Sequence, residues 1–158
     1  MTNKQELLRA LQPILEFLEG KEFTPELERE LQERFPLESA HMQRVKINCM
    51  EGLKYDWLCP REGDKLRYGR LAKSSETINH IGIDTVEMND VVPGHTHPLG
   101  EVDHCFAVQG KPLFDGNPEG WTVYGKNSWH IPTVTDGTMA ILYFLPQGAI
   151  QFKAKPTR

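Results

Sequence analysis

The chain has 158 residues, of which 39% are hydrophobic and 25% are charged, and its formal net charge is −4 at neutral pH. These values are typical of one globular domain, or of one domain with an added segment. The acidic balance and the lack of a long Lys/Arg run argue against a nucleic-acid partner. The sequence contains no apolar run of about 20 residues, so no membrane span is predicted.

Two amphipathic helices are predicted near the N-terminus. Apolar residues spaced three and four apart over residues 7–18 form the stripe of the first helix, which Gly20 can end. Thr24 can cap a second helix that begins at Pro25. The pattern of residues 39–60 is ambiguous and also fits a helix with frayed ends.

Short β-rich runs follow the predicted helices and alternate with turns that contain Gly, Pro, Asn or Asp, among them residues 110–112, 115–118 and 136–137. Regular short strands of this kind favour an antiparallel barrel or sandwich over a parallel sheet. We therefore expect residues 1–60 to form a helical extension that packs on a β barrel of residues 61–158. The predicted strands cover residues 65–71, 78–88, 104–108, 121–124, 128–134, 138–145 and 149–153.

Three histidines and a nearby carboxylate form the strongest signal in the chain. His95 and His97 are separated by one residue, so on a strand both imidazoles point to the same face. Acidic residues follow this pair, and His130 comes after a later turn. Neutral imidazoles with one carboxylate suit a divalent transition metal such as Fe, Mn, Zn or Ni. The sequence therefore predicts a metal site inside the β-rich part of the chain.

The β-rich part resembles the cupin family of double-stranded β-helix, jelly-roll barrels. Cupins carry two histidines separated by one residue, then Glu and Gly, and later a turn followed by a third histidine. Residues 93–104 and 125–130 match this pattern, although Gly and Asn replace the usual Pro and Gly of the second motif. The resemblance implies a mainly β cupin with an N-terminal helical extension.

The position of the carboxylate is less regular than that of the histidines. Glu101 follows His97 at a spacing that cupins allow, whereas Asp103 has the usual cupin spacing to Gly110. We prefer Glu101 as the fourth ligand because its side chain is longer, with Asp103 as the alternative ligand. If it is not a ligand, Asp103 is our first candidate for a general acid or base near the metal, and Tyr124 is the second.

Six segments carry a closer resemblance that covers nearly the whole chain: residues 57–62, 100–103, 114–116, 120–125, 130–134 and 143–152. They resemble the small cupins of the 4-hydroxylaminobenzoate lyase family. This resemblance implies an enzyme that converts 4-hydroxylaminobenzoate, or a similar small aromatic acid, to protocatechuate and ammonia at the metal site.

A benzoate substrate requires a cationic partner and an aromatic contact. Arginine binds carboxylates through two parallel hydrogen bonds, and we prefer Arg70 over Arg61 and Arg67 for this role. Trp121, or alternatively Phe106, can stack on the ring of the substrate. A solvated Arg and core aromatic residues are the structural alternatives.

Other functions are compatible with the same residues. A metal-dependent cupin dioxygenase needs the same ligand set, and a non-catalytic cupin can bind a small molecule there. A cupin that has lost its metal can keep these side chains as a hydrogen-bonded polar network. Metal content and turnover would separate these cases.

Two expectations concern assembly and location. Cupins commonly pair through sheet edges, so we expect a homodimer. The three cysteines form no C-x-x-C pair, and the N-terminus does not have the pattern of a signal peptide. These features predict reduced thiols in a cytoplasmic protein.

Overall fold

Three helices precede eight strands in the computed structural model, which describes residues 3–63, 65–77 and 79–150. A short 3-10 turn, Ser74–Glu76, lies between the second and third strands. The helices are α1 Lys4–Leu18, α2 Pro25–Arg34 and α3 Ala40–Lys54, and the strands are β1 Arg61–Gly63, β2 Leu66–Ala72, β3 Ile81–Met88, β4 His95–His97, β5 Glu101–Phe114, β6 Gly120–Tyr124, β7 Ser128–His130 and β8 Val134–Pro146.

Side-chain caps define where the helices begin. The Asn3 side chain accepts a hydrogen bond from the Glu6 amide at the start of α1, and Ser39 caps α3 in the same way. Thr24 caps α2, in which Pro25 occupies the first turn. The two predicted helices are therefore present, and the ambiguous residues 39–60 contain a third.

The strands form two antiparallel sheets. The larger has six strands in the order β1-β2-β3-β8-β5-β6, and the smaller pairs β4 with β7. The expected mainly β architecture with helices at the N-terminus is confirmed. Within the described residues, however, backbone pairing does not close the two sheets into one continuous barrel.

Strands β5 and β8 are longer than expected because bulges replace two predicted turns. β5 continues through Gly110 and β8 continues through Gly137, and the pairing register of β5 shifts on either side of Gly110. Both glycines have a positive φ, and a Cβ on Gly137 would lie 2.1 Å from the Gln109 carbonyl oxygen. Of the last predicted strand, 149 and 150 are not in a strand, and 151–153 lie outside the described residues.

The large sheet separates two apolar clusters. The outward face of the sheet packs against the helices, and on β5 it carries Val102 and Phe106. The inward face carries Cys105 of β5, with Met139 and Ile141 of β8. Because side chains alternate along a strand, Glu101 and Asp103 share the inward face with Cys105.

The helical extension covers the β6 end of the large sheet. The amide of Val123 donates a hydrogen bond of 2.9 Å to the Glu28 carboxylate. The indole of Trp121 donates one of 2.9 Å to the Phe35 carbonyl oxygen. These contacts join the helical extension directly to β6.

Two further findings concern the cysteines and the helices. Cys49, Cys59 and Cys105 are all buried and free. None of the helices in the described ranges combines the length and the apolar character needed to cross a membrane.

Candidate metal centre

Pairing of two three-residue strands brings three imidazoles together. β4 and β7 are antiparallel, with His95 opposite His130, and alternation along β4 places His97 on the same face as His95. The Nε2 atom of His130 lies 2.9 Å from Nε2 of His97 and 3.1 Å from Nε2 of His95. The three predicted histidine ligands therefore meet at one point.

Glu101, at the start of β5, completes the cluster. Its Oε1 atom lies 3.1 Å from Nδ1 of His97 and 3.9 Å from Nε2 of His95, and its Oε2 atom lies 3.8 Å from Nε2 of His130. One potential ligand atom from each of the four residues lies within 4.8 Å of the others. Asp103 is not part of this group, so the structure brings Glu101 rather than Asp103 to the histidines.

The donor atoms of this cluster fit a divalent transition metal. Both carboxylate oxygens of Glu101 are completely buried without a hydrogen-bond partner. Burial, reinforced by the neighbouring imidazoles, lowers the pKa of His95 to about 3 and that of His97 to about 2. Their rings are therefore neutral near pH 7 and offer lone pairs, as metal ligands must. A cation among three imidazoles would also pair with the otherwise unpartnered carboxylate.

Asp115 holds His130 from the side opposite the cluster. The Nδ1 atom of His130 donates a hydrogen bond of 2.7 Å to the Asp115 Oδ2 atom. The Thr133 amide donates to Oδ1 across 2.8 Å, and the Tyr124 hydroxyl also donates to Oδ2. Burial raises the pKa of Asp115, but hydrogen bonds from these three partners outweigh it and hold the pKa below its usual value. The contact orients the His130 ring so that Nε2 faces the cluster.

The sequence prediction missed Asp115. We interpreted residues 115–118 only as a turn, in which an Asp needs no further explanation. The one available signal was that residues 114–116 belong to the segments resembling the lyase family.

The two predicted catalytic residues, Asp103 and Tyr124, are not exposed to the cavity beside the cluster. Asp103 is completely buried, and burial raises its pKa. The Tyr124 ring stacks on His130 with ring centroids 4.0 Å apart, and its hydroxyl is bonded to Asp115. Neither side chain lines the large cavity beside the cluster.

That cavity has a volume of about 640 Å³ and reaches the cluster at His95. Arg70 lies on its wall, where Nε donates a hydrogen bond of 2.9 Å to Asp84. Arg61 and Lys73 also line the cavity, so several cationic groups border it. The apolar and aromatic part of the wall consists of Pro60, Leu66, Tyr68, Val86, Val92, Pro93, Tyr143, Leu145 and Ile150.

Arg67, the neighbouring candidate, lies outside the cavity. Its guanidinium forms ion pairs with the carboxylates of Glu87, at 2.7 Å, and Asp56, at 2.8 Å. Because it is three residues from Arg70 on β2, strand alternation turns it to the opposite face.

Neither Trp121 nor Phe106, the two residues predicted to stack on a substrate, lines the cavity described here. Both side chains belong to the apolar cluster between the sheet and the helices. Trp121 is bonded to the Phe35 carbonyl oxygen and packs edge-on against His104. The physical reason is that Trp121 and Tyr124 are three residues apart, so a regular strand turns them to opposite faces.

A family model and two related proteins all indicate the same family for this chain. The family model described as "PnbB: 4-hydroxylaminobenzoate lyase" matches residues 9–152 of the chain. A 4-hydroxylaminobenzoate lyase from Nocardioides sp. (strain LMS-CY) is 30% identical over 168 residues, which cover 99% of this chain and 98% of the relative. A 4-hydroxylaminobenzoate lyase from Pseudomonas putida is 24% identical, covering 96% of this chain and 97% of the relative.

Solved structures similar to the chain include cupins. A cupin-like protein from Thermotoga maritima matches with a TM-score of 0.35 and 15% sequence identity, covering 58% of this chain and 78% of that protein.

Proposed function

This chain belongs to the 4-hydroxylaminobenzoate lyase family, and we propose that it converts 4-hydroxylaminobenzoate, or a similar small aromatic acid, to protocatechuate and ammonia. The family is one of lyases, and the chain is accordingly an enzyme with a cupin fold. The observation that carries the proposal is the buried cluster of His95, His97, Glu101 and His130 at the wall of a cavity large enough for an aromatic acid.

The proposed reaction is redox-neutral, because the aryl hydroxylamine and one water together contain the atoms of the catechol and ammonia. The N–O bond must break, water must add to the ring, and an imine must hydrolyse. His95, His97, Glu101 and His130 would hold the metal, which supplies Lewis acidity and activates water when bound.

The cavity wall supports one orientation of the substrate. Arg70 can receive the carboxylate, since a guanidinium matches the two carboxylate oxygens, and Arg61 adds a second cationic group. The ion pair with Asp84 fixes the Arg70 side chain against the wall. Leu66 and Val86 provide an apolar surface for the ring, so the hydroxylamine end can extend towards His95.

The proposed roles of Asp103 and Tyr124 change with their positions. Neither lines the cavity wall, so we assign them to positioning and not to direct proton transfer with the substrate. Tyr124 acts on His130 through their shared contacts with Asp115. Asp103 lies beside Glu101 on the inward face of β5.

The decisive experiment combines elemental analysis of the purified protein with an assay of ammonia and protocatechuate release from 4-hydroxylaminobenzoate. We expect bound transition metal and equal amounts of both products. His130→Ala should lose metal and activity while remaining folded by circular dichroism. His80→Asn, which changes an exposed histidine, is the matched control.

The alternative functions predict different results. Bound metal without turnover of either 4-hydroxylaminobenzoate or a catechol would indicate a binding protein. Oxygen consumption with a catechol would indicate a dioxygenase. Product release by metal-free protein would refute the metal dependence and favour a hydrogen-bonded network.

We also propose a cytoplasmic homodimer in which residues 1–60 extend a cupin domain of residues 61–158. The three free, buried thiols are compatible with a reducing compartment. β1, at the end of the large sheet away from α2, is an edge strand that can pair with another copy. Light scattering after size-exclusion chromatography would test the dimer, and cell fractionation would test the location.

A further inference from the structure

Tyr143 of β8 has an unusual environment for a buried tyrosine. The residue is only 5% exposed, yet it lines the cavity that reaches His95. No hydrogen bond joins its hydroxyl to another residue within residues 3–63, 65–77 and 79–150. Buried tyrosines usually find a partner for this group. A molecule in the cavity would supply one.

Tyr143 also differs from the other unpaired groups nearby in its access to the cavity. The carboxylate oxygens of Glu101 and Asp103 are unpaired and completely buried. Of these three side chains, Tyr143 alone lines the cavity, where a bound molecule can contact it.

Strand pairing places Tyr143 between the cationic wall and the metal centre. In the strand register, Arg70 lies opposite Asp84, Asp84 lies opposite Tyr143, and Tyr143 lies opposite Asp103. Their four side chains therefore form one row on the inward face of the sheet. Two strand spacings separate Arg70 from Tyr143, which is about 10 Å along the sheet. Glu101 lies two residues from Asp103 on the adjacent strand.

We propose that Tyr143 is a ligand-binding residue whose hydroxyl donates a hydrogen bond to the oxygen of the substrate's hydroxylamine group. This inference rests on the proposed function, in which Arg70 holds the carboxylate of the same molecule. Carboxylate and hydroxylamine occupy opposite ends of a para-substituted ring, just as Arg70 and Tyr143 occupy separate positions along the row. The resulting contact selects aromatic acids that carry an oxygen at the far end.

The electrostatic surroundings keep this hydroxyl a donor. Burial and the neighbouring Asp103 and Glu101 carboxyls raise the pKa of Tyr143 well above its usual value. The phenol therefore retains its proton at neutral pH. Tyr124 differs because its hydroxyl is already bonded to Asp115.

A pair of substrate-like probes tests this assignment without turnover. 4-(Hydroxymethyl)benzoate places an oxygen where the hydroxylamine oxygen would lie, and 4-ethylbenzoate has a methyl group there. We expect metal-loaded wild-type protein to bind the hydroxymethyl compound more tightly by calorimetry. Tyr143→Phe should weaken its binding about three- to tenfold, the effect of one neutral hydrogen bond, and leave 4-ethylbenzoate binding unchanged.

Tyr55→Phe, which changes an exposed tyrosine outside the cavity, is the matched control and should keep the preference for the hydroxymethyl compound. Unchanged 4-ethylbenzoate affinity also shows that Tyr143→Phe is folded. If Tyr143→Phe keeps the preference, or weakens both probes equally, the assignment is wrong even when the wild type releases ammonia. If the wild type binds neither probe, the assigned substrate cavity fails together with the role of Tyr143. Probe discrimination by Tyr143 without ammonia release would refute only the lyase reaction.

Discussion

Asp115 and His130 are joined by a hydrogen bond of 2.7 Å between Oδ2 of the carboxylate and Nδ1 of the imidazole. Asp115 lies in the turn after β5, whereas His130 ends β7, so the bond links two elements that are separate in the chain. The Thr133 amide fixes the second carboxylate oxygen. Because Nδ1 carries the shared proton, the Nε2 lone pair of His130 is directed at the cluster of His95, His97 and Glu101.

Asp115→Asn should therefore lower metal affinity. Loss of a partner that orients a ligating imidazole typically costs about 10- to 100-fold in affinity. Competition with a chromophoric chelator would measure this loss, and nitrogen NMR of the His130 ring would report its tautomer. Tyr124→Phe keeps the carboxylate and removes one of its donors, so its effect should be smaller. Equal metal affinity in Asp115→Asn and wild type would contradict the positioning role.

Separate substitutions of the neighbouring residues Glu101 and Asp103 should show which of the two carboxylates is a metal ligand. Glu101→Gln should lose most bound metal, because an amide oxygen replaces an anionic ligand within the cluster. Asp103→Asn should retain the metal, because this side chain is outside the cluster. Elemental analysis after dialysis measures both. Metal loss in Asp103→Asn alone would make Asp103 the ligand.

Two arginines on one strand offer a matched test of carboxylate binding. Arg70→Ala should weaken the binding of a benzoate ligand about tenfold, a moderate value for a charged contact because the side chain is half exposed. The unpaired Asp84 would then also repel the anion. Arg67→Ala, which changes the opposite face of β2, should leave ligand affinity unchanged. Calorimetry with benzoate and benzamide would show whether Arg70 recognises the carboxylate, since only benzoate should respond.

His104 should make the protein sensitive to acid. It is completely buried beside Phe106 and Trp121, and burial, with a further effect of Lys46, lowers its pKa to about 3. Between that value and the unfolded pKa of about 6.5, the unfolded chain binds a proton that the folded chain does not. The contribution of His104 to the free energy of unfolding therefore falls as pH falls, by about 1.4 kcal/mol per pH unit.

The matched variant for this effect is His104→Leu, which has no titrating group. Its stability relative to the wild type should increase from pH 6 to pH 4, as measured by urea unfolding at each pH. A stability difference that does not vary over this range would contradict the expected protonation. The comparison cancels the contributions of other titrating groups that both proteins share.

The elements that follow local rules were predictable from the sequence. Helix caps such as Thr24 and the spacing of apolar residues indicated α1 and α2. The two-residue spacing of His95 and His97 indicated a shared face, which the pairing of β4 with β7 now supplies. The same alternation rule excludes Trp121 from the face of Tyr124.

Features that depend on contacts between distant residues were not predictable. Gly110 and Gly137 looked like turns, but pairing between β5 and β8 accommodates them as bulges. Asp115 looked like a turn residue, because its bond to His130 exists only after β7 has packed nearby. Choosing between Glu101 and Asp103 also required the tertiary structure, since both share one face of β5.

The contacts of α2 with β6 imply that the N-terminal helices are not a detachable module. Without Glu28 and Phe35, the amide of Val123 would have no partner in the protein and the indole of Trp121 would be exposed to water. Such a strand offers a template to other chains. A shortened protein beginning near residue 60 should consequently self-associate, because it would lack the helices that cover the exposed edge of β6.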